Sequence, residues 1–417
     1  MEGRHCEEVS YFGNWPWRYW WCRRANEEWK HFMNKKVLIS GIGLSDGGVG
    51  RLMQRLEPAA TARGYRILSR RMIPLSPLIR NKKYLTLLFE LFLKSLSWFV
   101  FKFKTLFVRG DTILILHPQS IGYKTFMRLV KTNTVYFYVM DSSFFCMMSY
   151  NYNNLSGSEC LRCISNPRNS FSECYSWPPL IRKKVAINYL EELMLHSKSI
   201  VFLAQTHSQE KLLVEHFGDK IDCRVVGMEP VDLSLADIQS IDLTDITRDY
   251  DLVYHGSIHP AKGIIYFLQI SLLLPKLKIF IPMSLNAASS IFSDCMRLNN
   301  VIFQDCTWET GLEDAVRKAK LVVNPSLWSA PIEGAFLKSL AYNGNVAVVH
   351  SKFGFSSENK FKNIVLKLPE DPASAADLLE NYIDNSVDNG LKTKKWLSDF
   401  YSSNKTDNVF DAIDLIL

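Results

Sequence analysis

From Lys36 onward, short runs of aliphatic and β-branched residues alternate with longer stretches whose apolar positions recur at helical spacing. Short uninterrupted apolar runs suit strands buried on both faces, and their regular alternation with helices is the signature of parallel α/β layers. The pattern predicts strands over residues 37–41, 66–69, 112–116, 134–140, 200–204 and 224–227. A second series follows over 251–254, 278–281, 300–303, 321–323 and 346–349. Between them, residues 232–249 are rich in Asp, Ser and Thr and carry no strand pattern, which marks a linker. The expected architecture is α/β, with two doubly wound, Rossmann-like domains spanning residues 33–231 and 250–417. A ligand cleft is expected between them, at the carboxyl ends of the strands. No heptad or solenoid period is visible.

Residues 1–32 read differently. They hold Trp15, Trp17, Trp20, Trp21 and Trp29, their basic and acidic residues cancel, and they contain no apolar core of signal-peptide type. An ordinary protein start follows at Met33, so residues 1–32 are expected to be an extension outside the fold. The alternative is an aromatic anchor at a membrane interface.

The 417 residues are 47% hydrophobic and 22% charged, which excludes a disordered, collagen-like or coiled-coil chain. Charge changes the picture more. Between Ala60 and Lys131 there are 14 Lys and Arg against Glu90 and Asp111, an excess of +12. With a whole-chain charge of +7, the remainder sums to −5. A basic, aromatic-rich stretch points to a polyanionic neighbour such as anionic lipid, nucleic acid or a phosphorylated substrate. Residues 84–108 are the most apolar stretch, yet Glu90, Lys94, Lys102 and Lys104 make them a poor spanning helix. Charged residues gather near one helical face, which suits a helix lying in the membrane interface. The alternative is an amphipathic helix packed on the sheet. Interleaving of the charges with Leu and Phe argues against nucleic acid.

Three stretches at predicted strand ends carry candidate chemistry. Gly41 to Arg51 holds glycines that permit a tight turn and bring backbone N–H groups to an anion at a helix start. It is neither a P-loop nor a good dinucleotide fingerprint, since Asp46 stands at the third glycine position. His255 to Gly263 places Lys262 at a turn before a helix, where a diphosphate can sit. Asn324-Pro325-Ser326 leads through Glu333-Gly334 and a short helix to Asn343-Gly344 and the strand 346–349.

This last succession resembles the carboxy-terminal half of GT-B glycosyltransferases, in particular the retaining family four class, and it looks like a variant from bacterial surface-polysaccharide clusters. The likeness runs from Lys35 to the carboxyl terminus and is strongest between Asp251 and Val349. In that family a Gly-x5-Lys-Gly element binds the nucleotide diphosphate, and Gly256, Lys262 and Gly263 match it; Gly47 and Gly48 match the amino-terminal glycine loop. Ser257 stands where the family usually has arginine. The family's two glutamates fall near Ala330 and Lys338, neither of them acidic. The resemblance therefore implies that Glu333 meets the donor sugar or the ribose, and that Lys338 reaches a phosphate, with Ser326 on the donor side. His117 and Asp141, directly after two strands, are expected at the reacting end. Catalysis is expected to need no divalent metal.

The implied function is transfer of a sugar from a nucleotide-sugar donor to a lipid-linked oligosaccharide, lipopolysaccharide or capsule precursor. The expected location is the inner face of a bacterial cytoplasmic membrane. A nucleotide-sugar epimerase of similar two-lobed form is the enzymatic alternative. A non-catalytic membrane-surface protein is the other, and it leaves Gly48, Lys262 and Glu333 unexplained.

Nine cysteines, an odd number without a secretory signal, suggest a reduced intracellular chain. Four of them, Cys146, Cys160, Cys163 and Cys174, fall within a turn-rich insert at 142–180. That grouping is compatible with a structural zinc site, with unpaired thiols, or with a redox or disulfide role.

Overall fold

Apolar runs become strands because each must bury both faces, and here they assemble into two sheets in a computed structural model. It describes residues 35–45, 47–70, 84–178, 181–229, 233–243, 246–385 and 390–415. The expected extension at 1–32, the basic residues 71–83 and Asp46 lie outside these ranges.

The first domain supplies β1 (Lys36–Ser40), β2 (Arg66–Ser69), β3 (Thr112–Leu116) and β4 (Thr134–Tyr138). A small antiparallel hairpin of β5 (Tyr152–Asn153) and β6 (Ser158–Glu159) intervenes before β7 (Ile200–Ala204) and β8 (Asp222–Val225). The sheet order is β2-β1-β3-β4-β7-β8, every pair parallel. The second domain contains β9 (Tyr250–Tyr254), β10 (Ile279–Ile281), β11 (Val301–Phe303), β12 (Ala319–Asn324), β13 (Val346–Val349) and β14 (Leu366–Leu368). Its order is β11-β10-β9-β12-β13-β14, again all parallel. Strand order reverses between β1 and β3 in one sheet and between β9 and β12 in the other. These switch points are where open α/β sheets leave a crevice.

Helices cover both faces. Five matter below: α1 (Gly48–Ala62), α2 (Tyr84–Leu106), α3 (His207–Phe217), α4 (Gly334–Tyr342) and α5 (Asp407–Asp414). Residues 235–240 of the expected linker form a helix, closed at its start by a reciprocal Ser234–Asp237 capping box.

Three details differ from the sequence pattern. Strand β8 begins at Asp222 rather than 224, because pairing with Val201 draws its polar start into the ladder. Strand β14 is a three-residue edge strand centred on Lys367, too short and too polar to show a period. The last helix, α5, leaves the second domain and packs on the first. Its Val409, Phe410 and Ile413 are buried with Leu38, Leu114 and Tyr136. Arg63 reaches Asp407 and Asp411 at 2.5 and 3.1 Å, and Lys36 reaches Asp414 at 2.6 Å. The second domain therefore does not run to the end of the chain: an apolar sheet face left open by the first domain's own helices takes the final helix as its cover.

Helix α2 is the opposite case. Of its residues only Phe101 and Thr105 are buried, while thirteen large apolar side chains from Tyr84 to Phe107 are exposed. Its carboxyl end is tied down by Lys102, whose Nζ donates to the Ile121 carbonyl and to Thr125 Oγ1, each at 2.6 Å.

Two stability predictions follow from this packing. Phe410→Ala empties a fully buried ring site and should cost about 3–5 kcal/mol in denaturant unfolding, although the residue is far in sequence from the domain it covers. His216 in α3 is buried among Phe144, Phe145 and Phe217, and burial pushes its imidazole down to about 4. The unfolded chain takes up that proton near pH 6.5 and the folded chain does not. The contribution of His216 is therefore complete above pH 6.5 and is lost as pH falls towards 4, at up to about 1.4 kcal/mol per pH unit. Urea midpoints measured across this window should fall less steeply for His216→Gln than for the parent chain.

Candidate functional site

The loop after β1 is set by close packing. A Cβ at Gly41 would lie 2.3 Å from the Ser120 backbone, and one at Gly43 would lie 2.2 Å from the Arg70 carbonyl, so neither position accepts a side chain. Gly47 and Gly48 have nothing within 4 Å of such an atom and border open space. Gly47 is the N-cap of α1 and offers no side-chain cap, so the first N–H groups of the helix point outward unpaired by side chains.

After β3, His117 adopts a left-handed backbone with φ 52°. A non-glycine residue held there costs about 1–3 kcal/mol and persists where surrounding structure imposes it. Its Nε2 stands 3.8 Å from Asp141 Oδ2, beyond the end of β4, and both side chains are mostly buried. Asp141 Oδ1 accepts from the Ser143 N–H at 2.9 Å, which fixes the carboxylate. His117 Nδ1 has no partner among the described residues.

The second sheet meets these groups from across the cleft. Following β9, His255 is buried, with Nδ1 2.8 Å from Ser339 Oγ and its ring stacked 5.1 Å from Trp308. Burial, followed by the Lys338 charge, lowers its pKa to about 3, so it is a neutral wall. The Tyr254 hydroxyl lies 2.8 and 3.1 Å from the carbonyls of Ser257 and Lys262 and shapes the turn between them. Gly263 closes that turn at φ 77°, where a Cβ would stand 1.9 Å from the Pro325 carbonyl. Only glycine fits.

This geometry delivers Lys262 to the cleft floor. Its Nζ donates to Glu333 Oε1 at 2.6 Å and lies 4.7 and 5.1 Å from the Trp328 and Tyr150 rings. Ser326 Oγ donates to the same carboxylate oxygen at 2.6 Å. Lysine and glutamate side chains are only 14% and 11% exposed, so the pair is a partly dry one. Glu333 is also the N-cap of α4, and the Gly334 and Ala335 backbone borders the cleft. The insert of the first domain forms the roof. Tyr150 packs on Trp328 at 4.6 Å, and Asn151 exchanges hydrogen bonds with Ser329 at 2.7 and 3.0 Å. Glu159 accepts from the Lys352 N–H at 2.7 Å and from Ser329 Oγ.

The half-open cleft holds about 570 Å³, within the range of small-molecule sites. It brings together His117 and Asp141 with Gly48, Gly256, Ser257, Lys262, Glu333 and Lys338. Gly263 and Ser326, expected to bind donor, stand behind the lining, where Gly263 shapes the turn and Ser326 holds Glu333, while Gly47 is exposed beside the cavity and outside its lining. Lys262 does not face the cleft as a lone cation, as the sequence suggests, because Glu333 neutralises it. Arg51 and Lys338 add two further cations to the lining, and Asp141 and Glu229 two further carboxylates, so the cavity carries both signs. Sequence reasoning missed Arg51, Tyr150, Gln205, His255, Trp308 and Trp328. Arg51, in the glycine stretch, His255, beside Gly256, and Trp328, inside the stretch that begins Asn324-Pro325-Ser326, carried a signal. Besides His117 Nδ1, the cavity residues Gln205 and Trp328 hold buried polar atoms, Oε1 and Nε1, without partners among the described residues.

Cys146, Cys160, Cys163 and Cys174 are free thiols around a separate cavity of about 20 Å³. No three His, Cys, Asp or Glu side chains among the described residues already stand in a metal-holding group.

No family model matches the chain, and no curated protein matches it. Solved structures do. A sucrose-phosphate synthase from Thermosynechococcus elongatus aligns at TM-score 0.57 and 13% identity, covering 92% of this chain and 98% of that one. HepE of Anabaena, solved in complex with UDP, aligns at 0.53 and 9%, covering 92% and 99%. A glycosyltransferase from Rickettsia africae aligns at 0.51 and 10%, covering 92% and 97%. Against TarM the chain spans 54% of the other protein's length, at TM-score 0.48. At these identities the likeness concerns the fold, and the fold is the one expected: two doubly wound α/β domains facing a cleft, the GT-B arrangement of glycosyltransferases.

Proposed function

We propose that the protein is a glycosyltransferase that moves a sugar from a nucleoside-diphosphate donor to a hydroxyl of a lipid-linked glycan at a membrane surface. The observation that carries the proposal is the convergence, on one cavity, of Lys262, Lys338 and the start of α4 from the second domain with His117, Asp141 and the start of α1 from the first. Lys262, the starts of α1 and α4, and Lys338 face the donor diphosphate. His117 and Asp141 face the reacting carbon. In transfer, the bond between the anomeric carbon and the diphosphate oxygen breaks and a bond to the acceptor oxygen forms. The acceptor proton leaves towards the His117–Asp141 side, and the departing diphosphate is stabilised by charges and N–H dipoles already in place. Glu333 Oε1 is engaged by Lys262 and Ser326, which leaves Oε2 to accept from sugar or ribose hydroxyls. HepE, of the same fold, has been solved with UDP and with UDP-glucose, which supports a nucleotide-sugar donor here.

The acceptor assignment rests on α2. It is long and apolar enough to cross a membrane by length and composition. Its carboxyl end, however, is packed on the first domain through Phe101, Thr105 and Lys102, so it suits the interface rather than a span. Its exposed rings would enter the headgroup boundary, with Lys94 and Lys104 among anionic headgroups. An enzyme held there meets lipid-linked acceptors, as cytoplasmic assembly of surface polysaccharide requires.

Calorimetry should detect uptake of UDP or another nucleoside diphosphate, weakened about 10- to 100-fold by Lys262→Ala, the worth of a charged hydrogen bond. Nucleotide release that depends on a glycan acceptor supports transfer. Interconversion of the sugar without acceptor would establish the epimerase instead, and absence of uptake for any sugar nucleotide overturns both. At the membrane, Phe92→Ser with Phe99→Ser removes two exposed rings and should lower co-sedimentation with anionic vesicles more than tenfold without changing the fold. Undiminished co-sedimentation would remove α2 from the assignment.

A further inference from the structure

We propose that Cys146, Cys160, Cys163 and Cys174 bind one zinc ion, and that this ion holds the insert that roofs the cleft.

Three separate pieces of chain supply the thiols: the turn after β4, the segment just beyond β6, and the loop that follows Pro167–Asn169. All four cysteines line the same space of about 20 Å³, roughly the room of a single small ion or water. Cys163 is buried, and the other three are partly so.

Charge balance supports the same occupant. A zinc ion with four thiolates carries a net charge of about −2. Arg162 and Lys183 are the cations coupled to Cys163, and both are fastened to the loop they face. Arg162 Nε donates to the Asn169 carbonyl at 2.6 Å, and Lys183 Nζ donates to the Phe171 carbonyl. Lys183 also faces the Glu173 carboxylate, and a tetrathiolate centre would be a second anionic neighbour for the two cations.

Local structure gives the site a purpose. Between β4 and the helix Lys183–His196, regular structure amounts to the two-residue strands β5 and β6 and the short turn Pro167–Asn169. Phe144, Phe145 and Met147 pack the start of the insert into the first domain's core, and a metal staple would add folding energy to the remainder. What the insert carries is functional: Tyr150 over Lys262, and Asn151 and Glu159 bridging to Ser329 and Lys352. The sulfurs ring the space rather than meet at a point, and coordination would draw each to about 2.3 Å from the ion, releasing the thiol protons to solvent.

The test uses the full-length chain, purified without chelator. Elemental analysis should find about one zinc per chain. Cys160→Ser and Cys163→Ser, singly and together, should remove most of it, while Cys295→Ser in the second domain leaves it unchanged. Adding a strong chelator should expose four further thiols to a colorimetric thiol reagent. Substitution with cadmium should produce thiolate-to-metal absorption that falls with each serine variant, a readout independent of activity. Less than about half a zinc per chain, with the four thiols reactive before chelation, overturns the site. Disulfides among these cysteines in mass spectra of unreduced protein overturn it equally.

Discussion

Everything in this molecule depends on strands running parallel in both sheets. A parallel sheet must send every connection back over its faces, so all its strand-to-helix loops leave from one edge. When two such sheets set those edges against each other, the reversals between β1 and β3 and between β9 and β12 confront one another. The loops that can least afford side chains, at Gly41, Gly43 and Gly263, are the ones packed at these reversals. Chemistry is then displayed by their neighbours: the helix start at Gly48, the strained His117, and Lys262.

Within that frame the cleft is electrostatically economical. A buried ion pair such as Lys262–Glu333 adds little net stability, because desolvation offsets the attraction, yet loss of one partner costs about 3–5 kcal/mol. The two residues belong to loops after different strands, so the pair ties those loops together and keeps the cation in register with Tyr150 and Trp328. An anionic ligand entering here meets a lysine already desolvated and oriented, and a glutamate with one oxygen engaged.

The first domain adds two features that the bare fold does not require. Helix α2 projects an apolar surface that water disfavours, and its carboxyl end is secured through Phe101, Lys102 and Thr105. The cysteine-bearing insert reaches across the cleft and fastens to the second domain through Asn151 and Glu159. One faces outward to a surface, the other inward to the cavity, and both come from the domain that carries His117.

Much of this was legible in the order of residues. Apolar runs located nearly every strand, because burial on both faces leaves little freedom in composition. Gly256, Lys262 and Glu333 were marked by their positions at strand ends. The exposed character of 84–108 showed in its mixture of Leu, Phe and Lys. Other features were not legible, because they depend on which distant segments touch. Nothing local predicts that Phe410 covers Leu38, that Lys262 is answered by Glu333, or that Gly263 is shaped by the Pro325 carbonyl. Tyr150 looked like an ordinary aromatic until the two domains brought it and Trp328 to either side of one ammonium. The sequence by itself determined the elements and the direction of their packing, since periodicity and burial are local properties. Tertiary structure decided the charge of the cleft and the route of the last helix, since Coulomb partners and open sheet faces are set by contacts between residues far apart in the chain.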